Sequence, residues 1–298
     1  MKIIVDQIDC FERPFNLRLP FRYGIVTLEK AIQAFVRVRV SNTTGRYQTG
    51  WSAEVMAPKW FDKTPQLSNQ ANEQQLRESI RIAASTYVKG DPLTPFALHA
   101  SRYRAIVDNA GQIGLNPLVA SYGQALLDRA ILDACCQMKE INFFDAINTN
   151  LPDIKPSALT ADLSHFDMDR HLSTLVPRAQ LWLRHTIGMA DALTDTDLIG
   201  RTVPDDRLPV TLQQVISVHK PRYFKIKLSG NTIFDRHRLA RIAKELGSVS
   251  HGFSLDGNEQ YESFDEFHEA FLQFRDDPSI APFMSQCLFI EQPVKREN

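Results

Sequence analysis

The sequence predicts an α+β region followed by an α/β region of parallel strand–helix units. Three observations carry that expectation: period-2 alternation near the amino end, a run of capped helical segments after it, and strands alternating with helices from about residue 180 onward. Residues 2–10 (KIIVDQIDC) and 34–40 (AFVRVRV) alternate apolar and polar, as half-buried strands do. A turn cluster at Asn42–Gly45 leads into 46–55 (RYQTGWSAEV), so 34–55 reads as a hairpin. Between the first two strands, Glu12 to Lys30 is expected to be a long connection displaying Phe15, Phe21, Arg22, Tyr23 and Gly24. A second irregular segment, 57–65 (APKWFDKTP), follows the hairpin. Aromatic and cationic loops of this kind often belong to binding sites, although such rings also pack beneath their own loops.

Helical sequence comes next. Segments 72–88 and 91–109 begin at Asn or Asp and are separated by Gly90, Pro92 and Pro95. Residues 119–139 form the longest helical stretch, with apolar positions at i, i+3, i+4 and i+7, and they hold Cys135 and Cys136 as small buried thiols. From there the rhythm changes. Strands are expected at 180–185 (QLWLRH), 223–228 (YFKIKL), 252–256 (GFSLD) and 287–291 (CLFIE), with helices starting near Thr211, over 235–246 and over 263–274. That alternation implies a parallel sheet, in which function gathers at the carboxyl ends of the strands.

Composition sets outer limits. The chain has 298 residues, 43% hydrophobic and 23% charged, in the range of soluble globular proteins. A net charge of -1 gives no electrostatic case for nucleic acid or an anionic membrane. No apolar run approaches the roughly 18 residues of a membrane span, and Met1–Asp9 does not read as a signal peptide. Cys10, Cys135, Cys136 and Cys287 have neither zinc-like spacing nor a disulfide framework, so a reduced, cytoplasmic location is expected.

The strand ends hold the chemistry. Lys225 and Lys227 are two apart, so the pleat puts both on one face of a strand whose other residues are apolar. A lone Lys-x-Lys is commonly a solvated face. On a buried strand it needs anionic company. The next strand ends in Asp256, with Gly257 turning the chain and Asn258 following; the one after ends in Glu291 before Gln292 and Pro293. Singly, Asp256 is a turn former and Glu291 a surface carboxylate. Three successive strands finishing in ionisable groups at one edge imply a shared site. Two hard carboxylates suit Mg²⁺, and a divalent cation stabilises the charge that forms when a proton α to a carboxylate is removed. The base for that step must be neutral, and a lysine beside a second lysine and a metal has its pKa pulled down.

With these residues in hand, the sequence resembles the enolase superfamily, specifically the muconate-lactonizing and dipeptide-epimerase type with Lys-x-Lys on the second barrel strand. YFKIKLSGN, SLDGNEQY and FIEQPV match the ends of that family's second, third and fourth strands. The resemblance implies a capping domain at 1–120 (antiparallel sheet plus helices) and the first half of a (β/α) barrel at 121–298. It implies Mg²⁺ as cofactor, Lys227 as base, Lys225 on the substrate carboxylate, Asp256 and Glu291 as metal ligands, and Asn258 behind them. Arg22, Tyr23, Lys59 and Trp60 would lie in the two specificity loops. His185, at the end of the first barrel strand, is a further candidate contact. A small-molecule carboxylate would be the substrate, with racemase, epimerase, cycloisomerase or dehydratase chemistry, in a homo-oligomer. The family's barrel continues past Glu291 to a third acidic ligand and an opposing acid, so the barrel is expected to be truncated here after its fourth strand. That departure leaves an alternative, a non-catalytic half-barrel remnant that self-associates. The acidic stretch Asp191, Asp195, Asp197 lacks the pattern of a Ca²⁺ loop and is expected to be solvated.

Overall fold

A computed structural model of the chain describes residues 1–24, 26–247 and 249–296. They form two compact units, Met1–Phe15 with Lys30–Arg178 and Asn16–Glu29 with Ala179–Asn298.

The first sheet has three strands, β1 (Ile3–Tyr23), β2 (Val26–Asn42) and β3 (Tyr47–Val55), in the order β1-β2-β3 with β2 and β3 antiparallel; Asn16–Glu29, the end of β1 and the start of β2, belong to the second unit and the rest of the sheet to the first. The expected connection 12–30 is therefore largely strand. Its alternation was present in the sequence: Phe15, Leu17, Leu19 and Phe21 are half-buried, while the residues between them are exposed. Pro14 and Pro20 disguised it, and β1 tolerates them because an edge strand has unpaired N–H positions.

Three helices cover this sheet: α1 (Asn69–Tyr87), α2 (Pro95–Gln112) and α3 (Pro117–Lys139). Ser68, Thr94 and Asn116 cap them, each side chain accepting a backbone N–H of the first turn. Two glycines permit the close packing. A Cβ on Gly50 of β3 would fall 2.1 Å from the Ala130 carbonyl oxygen of α3, and one on Gly123 of α3 would fall 2.3 Å from the Ser79 carbonyl oxygen of α1. Leu126, Leu127, Ala130 and Ile131 of α3 share one core with Ile3, Val36 and Val38 of the sheet. Helix α3 packs on the sheet, and the first unit runs on to Arg178. Short helices α4 (Phe143–Asn148) and α5 (Met168–Ser173) complete this unit.

In the second unit, β4 (Arg184–Ile187), β5 (Tyr223–Lys227), β6 (Gly252–Asp256) and β7 (Cys287–Glu291) form a parallel sheet in sequential order. The strand expected at 180–185 begins later, at Arg184. Helices α6 (Leu212–His219), α7 (Thr232–Leu246), α8 (Phe264–Asp276) and α9 (Ala281–Met284) alternate with the strands. Leu212, Leu239, Ile242, Leu246, Phe267 and Phe274 close one sheet face over Phe224, Ile226, Phe253 and Leu255. Burying these side chains supplies the main stabilisation, at roughly 25 cal/mol per Å² of apolar surface. The acidic stretch is ordered rather than merely solvated. Asp197 accepts the N–H groups of Leu193 and Thr194 and pairs with Arg241, and Asp191 accepts the Gly188 N–H. No described helix is long and apolar enough to cross a membrane.

Candidate active site

Register decides which side chains meet. Lys227 pairs with Asp256, and Asp256 with Glu291, so one row across three strands at their carboxyl ends reads Lys–Asp–Glu. The row below holds Thr186, Lys225, Ser254 and Phe289. Because partners in register share a face, both lysines stand with the two carboxylates, opposite the face that the helices cover.

The side chains converge closely. Lys227 Nζ donates to Asp256 Oδ2 at 2.7 Å and to Asn258 Oδ1 at 2.8 Å. Lys225 Nζ lies 2.7 Å from the same Asp256 Oδ2 and donates to both Glu291 oxygens, at 2.8 and 2.7 Å. Asp256 Oδ1 accepts the Asn258 backbone N–H at 3.0 Å. That last bond bends the chain sharply after β6, where Asn258 has φ 47° and Glu259 φ 64°. Lys227 is 3% exposed and Asp256 0%, whereas Glu291 keeps about a third of its side chain in solvent.

Electrostatics follow from this burial. Burial pushes the Lys227 ammonium below the ordinary lysine range, and neighbouring Lys225 adds to the push. Asp256 opposes both without cancelling them. For Asp256 burial acts to raise the carboxyl pKa, but hydrogen bonds from Lys225 and Lys227 prevail and leave it below the usual carboxylate value. The site thus pairs a lysine whose charged form is disfavoured by burial with an aspartate whose charged form is favoured by its lysine partners.

Asp256, Glu291 and the Asn258 amide oxygen are the oxygen donors at this edge. Among the described residues no group of three or more His, Cys, Asp or Glu side chains could hold a metal ion. Two carboxylates still fit Mg²⁺, which typically takes one or two and fills its octahedron with water and substrate oxygens; they do not fit a closed zinc site.

The loop candidates separate. Tyr23, at the end of β1, is buried, which pushes its hydroxyl up to about 12; Arg22 before it is exposed. Gly24 abuts Gln260, with a Cβ there falling 3.3 Å from Gln260 Nε2, and that nitrogen donates to the Asn258 carbonyl. Residues 22–24 therefore lie beside the turn that follows Asp256. Lys59 is buried, and its Nζ donates to the carbonyls of Thr64 and Leu67, bracing its own loop. Trp60 next to it is 41% exposed. His185 pairs with Phe224 and so stands on the helix-covered face, whereas Thr186 shares the face of the lysines; burial holds the His185 imidazole below the ordinary range.

Sequence reasoning passed over Asp235, which reads there only as the start of a helix. In the structure it lies in the first turn of α7, is 2% exposed, and accepts the N–H and hydroxyl of Ser229 and the N–H of Gly230. It fixes the turn that follows Lys227. The signal was available, since an acid in the first turn behind a Ser-Gly-Asn loop commonly folds back onto that loop. At the opposite, amino ends of the strands lies a cavity of about 280 Å³ lined by Trp182, Arg184, Tyr223, Ser254 and Phe289 among others.

No protein-family model and no curated protein matches the chain. Solved structures do. An enolase from Bradyrhizobium complexed with magnesium and mandelic acid matches with a TM-score of 0.60 at 14% identity, over 100% of this chain and 63% of its own. A dipeptide epimerase from Enterococcus faecalis, complexed with Mg and L-Leu-L-Tyr, gives 0.58 at 16% identity over 100% and 63%. Muconate lactonizing enzyme from Pseudomonas fluorescens, complexed with muconolactone, gives 0.57 at 15% over 99% and 61%. The chain has the fold of these structures and spans less than two thirds of their length.

Proposed function

We propose that the Lys–Asp–Glu row belongs to an enolase-superfamily site of the Lys-x-Lys type, which removes a proton α to the carboxylate of a small-molecule substrate. The observation that carries this reading is the convergence of Lys225, Lys227, Asp256, Asn258 and Glu291 at one strand edge, within hydrogen-bonding distance of one another. Lys227 is the base. Burial and Lys225 favour its neutral form, and Asn258 and Asp256 fix where its nitrogen points. Lys225 receives the substrate carboxylate. Asp256 and Glu291 would hold Mg²⁺, with Asn258 orienting Lys227; the ion, when bound, supplies positive charge for the enediolate oxygens. Tyr23 and Arg22 bear on the substrate from the hairpin tip beside Gln260. Racemisation, epimerisation, cycloisomerisation and dehydration all begin with this proton transfer, and groups beyond the row decide among them.

The test is proton exchange. Incubated in D₂O with Mg²⁺ and a panel of carboxylates, the protein is expected to wash deuterium into the α-position of at least one, and to stop when the ion is chelated. Absence of exchange across racemase, epimerase and dehydratase substrates would count against the reading.

A second reading, a non-catalytic module that self-associates, is favoured by one observation. Trp182, Leu288 and Phe289 are each at least half exposed around the 280 Å³ cavity, an apolar patch of the kind that marks contact surfaces. Sedimentation over a range of concentrations separates the two readings when run beside the exchange assay.

A further inference from the structure

We propose that Lys225 is a built-in competitor for the divalent cation, clamping Asp256 to Glu291 until a cation displaces it. The inference rests on the reading of these two carboxylates as cation ligands and goes beyond it, to what controls their occupancy.

Three acceptors surround the Lys225 ammonium: Asp256 Oδ2 at 2.7 Å and the two Glu291 oxygens at 2.8 and 2.7 Å. Two of its N–H donors go to Glu291, and the Asp256 oxygen completes the ion-pair bridge between the two carboxylates. It is also enclosed, with its side chain 13% exposed and that of Asp256 1%. Lys227 is held between Asp256 and Asn258. A cation bound to both carboxylates would sit about 2.0–2.1 Å from their oxygens. It would then share those oxygens with an ammonium of like charge, and the two cannot both stay. The lysine stem is flexible enough to leave.

A second observation shows where the ammonium can go. Ser254 is the register partner of Lys225 on the neighbouring strand and is 1% exposed. Its hydroxyl is buried with no hydrogen-bond partner among the described residues. A buried hydroxyl left unmatched is costly, and an ammonium swung off the carboxylates would satisfy it. Cation binding would in this way release Lys225 and present it, one row below the carboxylates, to an incoming substrate carboxylate. Binding is then ordered, cation before carboxylate.

The test is calorimetric titration of Mg²⁺ and Mn²⁺ into the 298-residue chain and its variants, with circular dichroism to verify folding. Lys225→Met and, as a second neutral variant, Lys225→Gln are expected to bind the cation about tenfold more tightly than the unaltered protein. Lys225→Arg keeps the competing charge and should show no such gain. Ser254→Ala should weaken cation binding severalfold while Lys225 is present and change nothing in the Lys225→Met background, a dependence that a purely structural serine would not show. Equal affinity in the unaltered, Met and Arg proteins would overturn the clamp and leave the ligand assignment standing. If none of them binds either cation, the ligand assignment fails and the clamp with it.

Discussion

Replacing Asp256 by Asn should destabilise the second unit by about 3 kcal/mol, and the figure follows from what the carboxylate holds. Its Oδ2 accepts from Lys227 and pairs with the Lys225 ammonium at 2.7 Å, and its Oδ1 accepts the Asn258 N–H, at 0% exposure. Removing one partner of a buried ion pair costs about 3–5 kcal/mol, because the remaining charge stays out of water. Here Lys227 has an escape. Its pKa already lies below the ordinary value, so it can shed its proton, which places the loss at the lower end. Lys227→Met leaves Asp256 paired with Lys225 and should cost less, about 1–2 kcal/mol. In the double variant neither orphaned charge exists, so the cycle should show a coupling of about 2 kcal/mol. Urea unfolding followed by far-UV dichroism measures all three. The pH dependence has a definite sign. The Asp256 pKa is lower folded than its reference value of 3.8, so its contribution is present above that value and is lost as pH falls through the folded pKa. The gap between the unaltered protein and Asp256→Asn should therefore close as the solution is acidified below about pH 4. A variant within about 0.5 kcal/mol of the unaltered protein, or strictly additive losses, would refute the argument.

Three further outcomes are expected. His99 Nδ1 lies 2.7 Å from Asp128 Oδ2, and that hydrogen bond raises the His99 pKa above 6.5, so its stabilising contribution is complete below that value and is lost as pH rises through the folded pKa. NMR titration of the imidazole should show a lower pKa in Asp128→Asn, and an unchanged one would contradict the pairing. Lys59→Met should lower the melting temperature by an amount matching about 1–3 kcal/mol, since it strands the Thr64 and Leu67 carbonyls. It should leave substrate KM unchanged, whereas a KM effect without a stability loss would return Lys59 to the binding loop. Gly123→Ala should cost about 2–3 kcal/mol by thermal melting, because its Cβ would meet the Ser79 backbone at 2.3 Å; an unaltered melt would mean that α1 and α3 shift apart freely.

Much of the second unit was legible because its strands are short, apolar and end in chemically distinctive residues. YFKIK, GFSLD and CLFIE appear as β5, β6 and β7, and the parity of Lys225 and Lys227 follows from the pleat alone. Parity across strands was not legible. His185 and Thr186 are neighbours on opposite faces, and only the pairing of His185 with Phe224 decides which one joins the lysines. Long-range packing was hidden for a similar reason. The amphipathic pattern of α3 shows that a face is buried without saying against what, and it is Gly50 on β3 that admits the helix to the first unit. Pro14 and Pro20 interrupted the strand signal of β1, though the alternation at Phe15, Leu17, Leu19 and Phe21 persisted beneath them. The carbonyl partners of Lys59 were not legible either, because a cation in an aromatic loop does not show in sequence which backbone it braces.

The central claim, that the Lys227 amine takes the proton, is tested most directly by chemical rescue. Lys227→Ala should lose α-proton exchange on a substrate that the unaltered protein exchanges, by a factor of at least about 100, the low end of what a positioned base contributes. Small primary amines added to the solution should restore part of that rate, more strongly as amine basicity rises and until bulk excludes them from the space the side chain left. Undiminished exchange in Lys227→Ala would contradict the assignment outright. So would a lost rate that no amine recovers while dichroism and Mg²⁺ binding remain those of the unaltered protein.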